Sequence, residues 1–170
     1  MRTILAKAFV ALAITTVGAL GADNSLGTWK LNTETSKFTP GPSPVKSLTV
    51  AREASDGGVK IIVTGERADG TPINGGYSAK YDGKDVQVTG NTPYDTIAVK
   101  QLNSNTLSDE RKKTGGPYRA TGRTVISKDG KTMTTTTKGT NADGKAFTNV
   151  MVFGNFIVVN SWINLLRIIL

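Results

Sequence analysis

The stretch RATGRTVISKDGKTMTTTTKGTNADGKAFTNVMVF, residues 119–153, spells out two successive hairpins and decides the fold. Asp129-Gly130 and Asp143-Gly144 are dipeptides that reverse a chain within two or three residues, because Asp caps the turn and Gly accepts positive φ. Around the second, a three-residue loop (142–144) sets Met151 opposite Thr135 and Phe153 opposite Met133. Phe147, Met151 and Phe153 then share the inner face. Around the first, two registers are equally good, since either Ile126 or Val125 can face Met133. The choice has a chemical consequence. The Val125 register turns Arg119 and Arg123 inward, and the Ile126 register leaves them in water.

Outward from this stretch the same punctuation recurs: Asp56-Gly57, Asp69-Gly70, Asp82-Gly83, Gly90-Asn91, Asn103-Ser104-Asn105 and Gly115-Gly116-Pro117. Segments of about a dozen residues between such signals hold one strand each, which predicts an antiparallel meander. With an opening strand at residues 27–31 the count is ten. At Asp82-Gly83 a two-residue turn sets Ala79 opposite Val86 and Tyr77 opposite Val88, so Tyr77, Tyr81, Val86 and Val88 point inward. Residues 32–45 carry Pro40, Pro42 and Pro44 at alternate positions, which forbids a helix and predicts an extended crossing laid over one barrel end. A ten-stranded meander removes its bare edges by closing on itself, and closure at that number leaves more room than side chains fill. The expected fold is therefore all-β, an antiparallel up-and-down barrel with a cavity. The ligand-facing candidates are Tyr77, Tyr81, Met133, Met151 and Phe153, with Arg123 joining them only in the Val125 register.

Composition narrows the chemistry. The 170 residues include no His and no Cys, so a Ser-His-Asp triad, a Cys nucleophile, a His-ligated metal and a disulfide framework are excluded for want of the atoms. Five of the thirteen acids sit in Asp-Gly turns, and nothing in the spacing of Glu53, Glu66 and Asp95 makes a catalytic acid pair. The expectation is a protein that is not an enzyme and uses no metal and no cofactor. Lys and Arg number 21 against 13 acids, yet the basic residues are scattered and the one cluster, Arg111-Lys112-Lys113, reads as solubilising surface. Nucleic acid is not an expected partner.

The two ends read differently from the centre. Residues 1–22 place Arg2 and Lys7 before an apolar run and then small residues, the layout of a secretory signal peptide, with cleavage after Ala22 favoured over an earlier point. Its removal leaves 19 basic residues against 13 acids, a mildly cationic exported chain destined for a periplasm or the medium. The barrel then occupies residues 23–153, followed by an apolar tail at 154–170. Within it, FIVVNSWINLLRIIL (156–170) would make an amphipathic helix whose polar stripe is Asn160, Ser161, Asn164 and Arg167. Fifteen helical residues reach about 22 Å, short of a bilayer's roughly 30 Å hydrocarbon core. The run from Phe156 to Leu170 is expected to lie on a membrane surface, on the barrel or on a protein partner, or to be further core.

The first strand, Leu26-Gly27-Thr28-Trp29-Lys30-Leu31, carries Gly-x-Trp and resembles the lipocalin and fatty-acid-binding-protein group of calycin barrels. With Ser127-Lys-Asp-Gly-Lys-Thr-Met133 and Lys138-Gly-Thr140, the chain up to Phe153 is similar to small bacterial exported lipocalin-like domains. The resemblance implies that Trp29 plugs the closed barrel end, with Gly27 allowing close approach, so both are structural. Two features depart from it. The triple-proline segment stands where the intracellular carriers have a helical lid, and Met151 and Phe153 stand where those carriers have the Arg-x-Tyr pair that holds a carboxylate. The expected function is an exported carrier or sequestering protein for a small hydrophobic or amphipathic ligand. The alternative is a structural or interaction module with a packed barrel and a docking tail.

Overall fold

The computed structural model describes residues 23–156, so the proposed leader and nearly all of the apolar tail lie outside the described residues. Eleven antiparallel strands form one sheet, and the described residues contain no helix. The strands are β1 (Gly27–Thr39), β2 (Val45–Ser55), β3 (Gly58–Arg67), β4 (Pro72–Lys80), β5 (Asp82–Gln87), β6 (Thr89–Gly90), β7 (Thr96–Asn103), β8 (Thr106–Lys112), β9 (Arg119–Ile126), β10 (Thr132–Thr140) and β11 (Ala146–Asn155). Neighbours run β5-β7-β8-β9-β10-β11-β1-β2-β3-β4-β6. The terminal members, β5 and β6, are two halves of one run bent at Val88, whose amide donates to the Asp95 carbonyl at 2.8 Å. One half pairs with β7 and the other with β4, so the sheet curls into a nearly closed barrel. Ten predicted strands become eleven through this single bend.

The hairpin expected at Asp82-Gly83 forms only in part. Its register survives at Gly75↔Gly90 and Gly76↔Thr89, but no ladder joins β4 to β5. The backbone of β5 is instead paired to β7 through Asp85↔Ala98, Val86↔Ile97 and Gln87↔Thr96. At the corner Gly90 has φ +92°, and a Cβ there would overlap the Asn74 carbonyl, so only glycine lets the strands cross this closely.

The C-terminal hairpins follow the turn arithmetic. Thr135 faces Met151 and Met133 faces Phe153, and the Asp129-Gly130 hairpin takes the Ile126 register, with Met133↔Ile126. That register buries Ile126 and leaves Val125 exposed, and it brings the Thr124 and Thr135 hydroxyls to 2.9 Å. It also keeps two guanidiniums hydrated, which avoids a large desolvation cost. Arg119 and Arg123 are accordingly exposed on the outer face.

The crossing between the first two strands is shorter than expected. β1 continues to Thr39, pairing with β11 from Lys37 to Thr39 after an irregularity that begins at Asn32. There the Asn32 side chain accepts from the amides of Glu34 and Thr35, and the Ser36 hydroxyl accepts from the Val152 amide at 3.0 Å. These bonds satisfy backbone groups that the bulge takes out of the ladder. The prolines begin only at Pro40, so nothing forbids strand before it, and the connection shrinks to residues 40–44.

Two apolar clusters line the interior. Trp29, Ile126, Met133 and Phe153 form one, with Leu31, Leu48, Val50 and Met151 against them. Ala79, Ile97 and Val99 form the other, joined by Tyr77, Tyr81, Val86, Val88 and Tyr94.

Candidate functional site

Between these clusters lies a chamber of about 120 Å³, walled by residues of both. The alternation of each strand decides what enters it. On β2, Leu48, Val50 and Arg52 face inward together, and on β8, Leu107, Asp109 and Arg111 do the same. β9 and β10 contribute the hydrogen-bonded Thr124 and Thr135. The charged groups lining this apolar space are thus Arg52, Asp109 and Arg111.

Asp109 and Arg111 form an ion pair through Arg111 Nε and the Asp109 carboxylate, both side chains largely withdrawn from water. Space for it comes from across the strand: Asp109 pairs with Gly122, and a Cβ at Gly122 would overlap the carboxylate. Burial opposes the charge on Arg111, but the Asp109 carboxylate and Tyr94 outweigh it and hold the guanidinium above its ordinary value. Its carbon also lies 5.4 Å from the Tyr94 ring centroid, within cation–π range.

Above the chamber, toward the ends of β4, β8 and β10, a second and more apolar space of about 260 Å³ opens at the barrel mouth. Leu48, Val63, Tyr94, Arg111 and Met151 wall both spaces, so the two are adjacent. The mouth is lined by an aromatic row. Tyr94 and Tyr118 are stacked at 5.8 Å between centroids, and Tyr118 and Phe147 lie 6.0 Å apart. Pro44, from the short proline connection, forms part of the rim, so that segment does border one barrel end. Burial pushes the Tyr118 phenol up, and burial followed by the nearby Tyr94 does the same to Tyr77, so both stay neutral donors.

The opposite end is sealed. Trp29 is fully buried, and its indole donates to the Ser25 carbonyl at 2.9 Å. Arg52 Nη2 donates to the Ser25 hydroxyl at 3.1 Å, the Ser25 amide donates to Asp23, and the Tyr81 hydroxyl donates to Asp23 Oδ2 at 2.7 Å. Burial raises the Tyr81 pKa, and its bond to Asp23 adds to the shift.

Of the residues expected to face a ligand, Tyr77, Met133, Met151 and Phe153 line the inner chamber. Tyr81 does not, because Asp23 takes its hydroxyl into the sealed end. Arg123 is corrected outright: the Ile126 register puts it outside the barrel. Arg111, expected on the surface, is an interior residue. Arg52, Asp109 and the mouth aromatics Tyr94 and Tyr118 were not anticipated.

No family model matches the chain, and no curated protein matches it. Among solved structures, the chain is similar to a redesigned beta barrel, mFAP1, bound to DFHBI, at 18% sequence identity over 75% of this chain and 94% of that one, with a TM-score of 0.37.

Proposed function

We propose that this protein is an exported carrier or sequestering protein that holds a small hydrophobic or amphipathic molecule in its barrel and performs no chemistry on it. The observation that carries the reading is the pair of adjacent spaces, one apolar and aromatic at the mouth, one with polar groups beneath it. Ligand sites combine an apolar wall with a few convergent polar groups, in volumes of roughly 300–1,000 Å³. The inner space of about 120 Å³ alone is smaller than an engineered cavity of about 150 Å³ that takes benzene, so the body of a guest rests in the mouth. Affinity then comes chiefly from desolvating apolar surface, at about 25 cal/mol per Å² before ordering costs. Export rests on the leader-like residues 1–22.

The test uses an environment-sensitive neutral naphthalene dye, 6-propionyl-2-dimethylaminonaphthalene. Its emission shifts to the blue on mixing with the protein, and Asn149→Trp, which fills the mouth, removes the shift while the far-ultraviolet circular dichroism and the cooperative urea transition stay native. No shift in the wild type, or a shift that Asn149→Trp leaves intact, refutes the barrel as the binding site.

A further inference from the structure

We propose that the inner chamber is an anion subsite, in which Arg52 and Arg111 receive the carboxylate or sulfonate of a small aromatic acid whose ring occupies the mouth. The proposal rests on the ligand-binding reading above and adds the chemical class of the guest.

Three observations carry it. First, the two guanidiniums are not matched alike. Asp109 lines the chamber and holds Arg111 Nε, whereas the carboxylate near Arg52, Asp23, lies beyond Ser25 at the sealed end and does not line the chamber, so within the chamber's own wall two guanidiniums face one carboxylate. Second, Arg52 is only 9% exposed and its Nε finds no acceptor among the described residues, while Nη2 is spent on Ser25 at the sealed end. A buried donor left unpaired is costly, and more so when charged. An anion with two or three oxygens matches this need, accepting from Arg52 and from the remaining donors of Arg111 in charge-assisted bonds. Third, the space above is short and aromatic. Its volume of about 260 Å³ and the row of Tyr94, Tyr118 and Phe147 suit a flat ring that stacks or meets edges, whereas a long flexible chain would overrun it. The mouth also holds a hydroxyl without a partner: Thr137 is 2% exposed and its Oγ1 is unbonded. These arginines stand on β2 and β8, not on the last strand, where Met151 and Phe153 supply apolar wall.

The probes are 2-naphthoate and 2-naphthamide, alike in shape and different in charge, titrated calorimetrically into the wild-type protein. The expected result is naphthoate binding at least about tenfold more tightly, the least that a charge-assisted bond is worth. In Arg52→Gln the ratio should fall to about one with the amide's affinity unchanged, and Arg52→Lys should restore part of it. Arg123→Gln, on the outer face, should leave the ratio as it was. If both probes bind the wild type equally, the anion subsite is wrong and the ligand-binding reading stands. If neither binds, both fall. A ratio that persists in folded Arg52→Gln, or one that collapses in Arg123→Gln as well, also overturns the proposal. Should the Arg52 variants fold poorly, equal wild-type affinity for the two probes still overturns the proposal, and so does a preference for naphthoate that Asn149→Trp, which fills the mouth, leaves intact.

Discussion

The Thr124–Thr135 pair gives the sharpest test of the interior. Both residues are buried, and their hydroxyls meet at 2.9 Å in the wall of the inner chamber. Thr→Val at either position keeps the shape, removes one hydroxyl and leaves the other without its partner. An orphaned buried hydroxyl costs about 1–3 kcal/mol, and the added methyl returns about 0.8 kcal/mol. Each single variant should therefore lose about 1 kcal/mol. In Thr124→Val/Thr135→Val no hydroxyl is left to be orphaned and two methyls are gained, so the double variant should be no less stable than wild type to within about 1 kcal/mol. The coupling, read from urea unfolding followed by circular dichroism, should then be about 2 kcal/mol. Effects that simply add, with a coupling below about 0.5 kcal/mol, would refute the reasoning. They would mean that the hydroxyls do not meet, as in the Val125 register that turns Arg119 and Arg123 inward, or that water satisfies each one and the chamber is wet.

Two further outcomes follow from the sealed end. Trp29→Ala should cost about 3–5 kcal/mol, the range for losing a buried large ring, and a loss below about 1 kcal/mol would contradict its role as a plug. At Asp23 burial favours the neutral acid, but bonds from Ser25 and Tyr81 outweigh it and hold the carboxyl below its usual range. A lowered folded-state value means that this stabilisation is complete above the ordinary carboxylate pKa and fades as pH falls through the folded one. The urea-midpoint gap between wild type and Asp23→Asn should therefore narrow on acidification from neutral pH to below pH about 3, and a gap that stays constant would contradict the assignment.

How much of this was legible depended on whether the cause was local. Met151 and Phe153 were placed correctly because turn length and two-residue alternation together fix a hairpin's faces, and both causes lie within a few residues. The Ile126 register was not decidable that way, since the energy separating it from its rival sits in the Thr124–Thr135 bond and in the hydration of two arginines. The same alternation predicts Tyr81 to face inward. Its partner Asp23, however, is 58 positions away and precedes the first strand, so no pattern near Tyr81 announces the bond.

Arg111 and Arg52 show why the candidate site was harder to read than the fold. Alternation from Leu107 points to Asp109 and Arg111, and alternation from Leu48 and Val50 points to Arg52, so the geometric signal was present. The general expectation that charge belongs in water masks it, and the neighbouring Lys112 and Lys113 place Arg111 within what reads as a surface run. What lets the charges stay inside is remote in sequence: Gly122 on the facing strand makes room for Asp109, and Ser25 before the first strand accepts from Arg52. Local rules fail most informatively where a fold breaks them for a purpose. In this barrel the breaks converge on one chamber, whose wall holds two guanidiniums and one carboxylate, with Asp23 near Arg52 behind Ser25, and where Arg52 Nε has no acceptor among the described residues. Folding alone would be served as well by apolar residues at those positions, since replacing a buried ion pair with well-packed hydrophobics is often neutral or stabilising. The unpaired Arg52 Nε beside a second inward guanidinium is the feature that the barrel's own support leaves unexplained, and it is the one that the proposed anionic guest would answer.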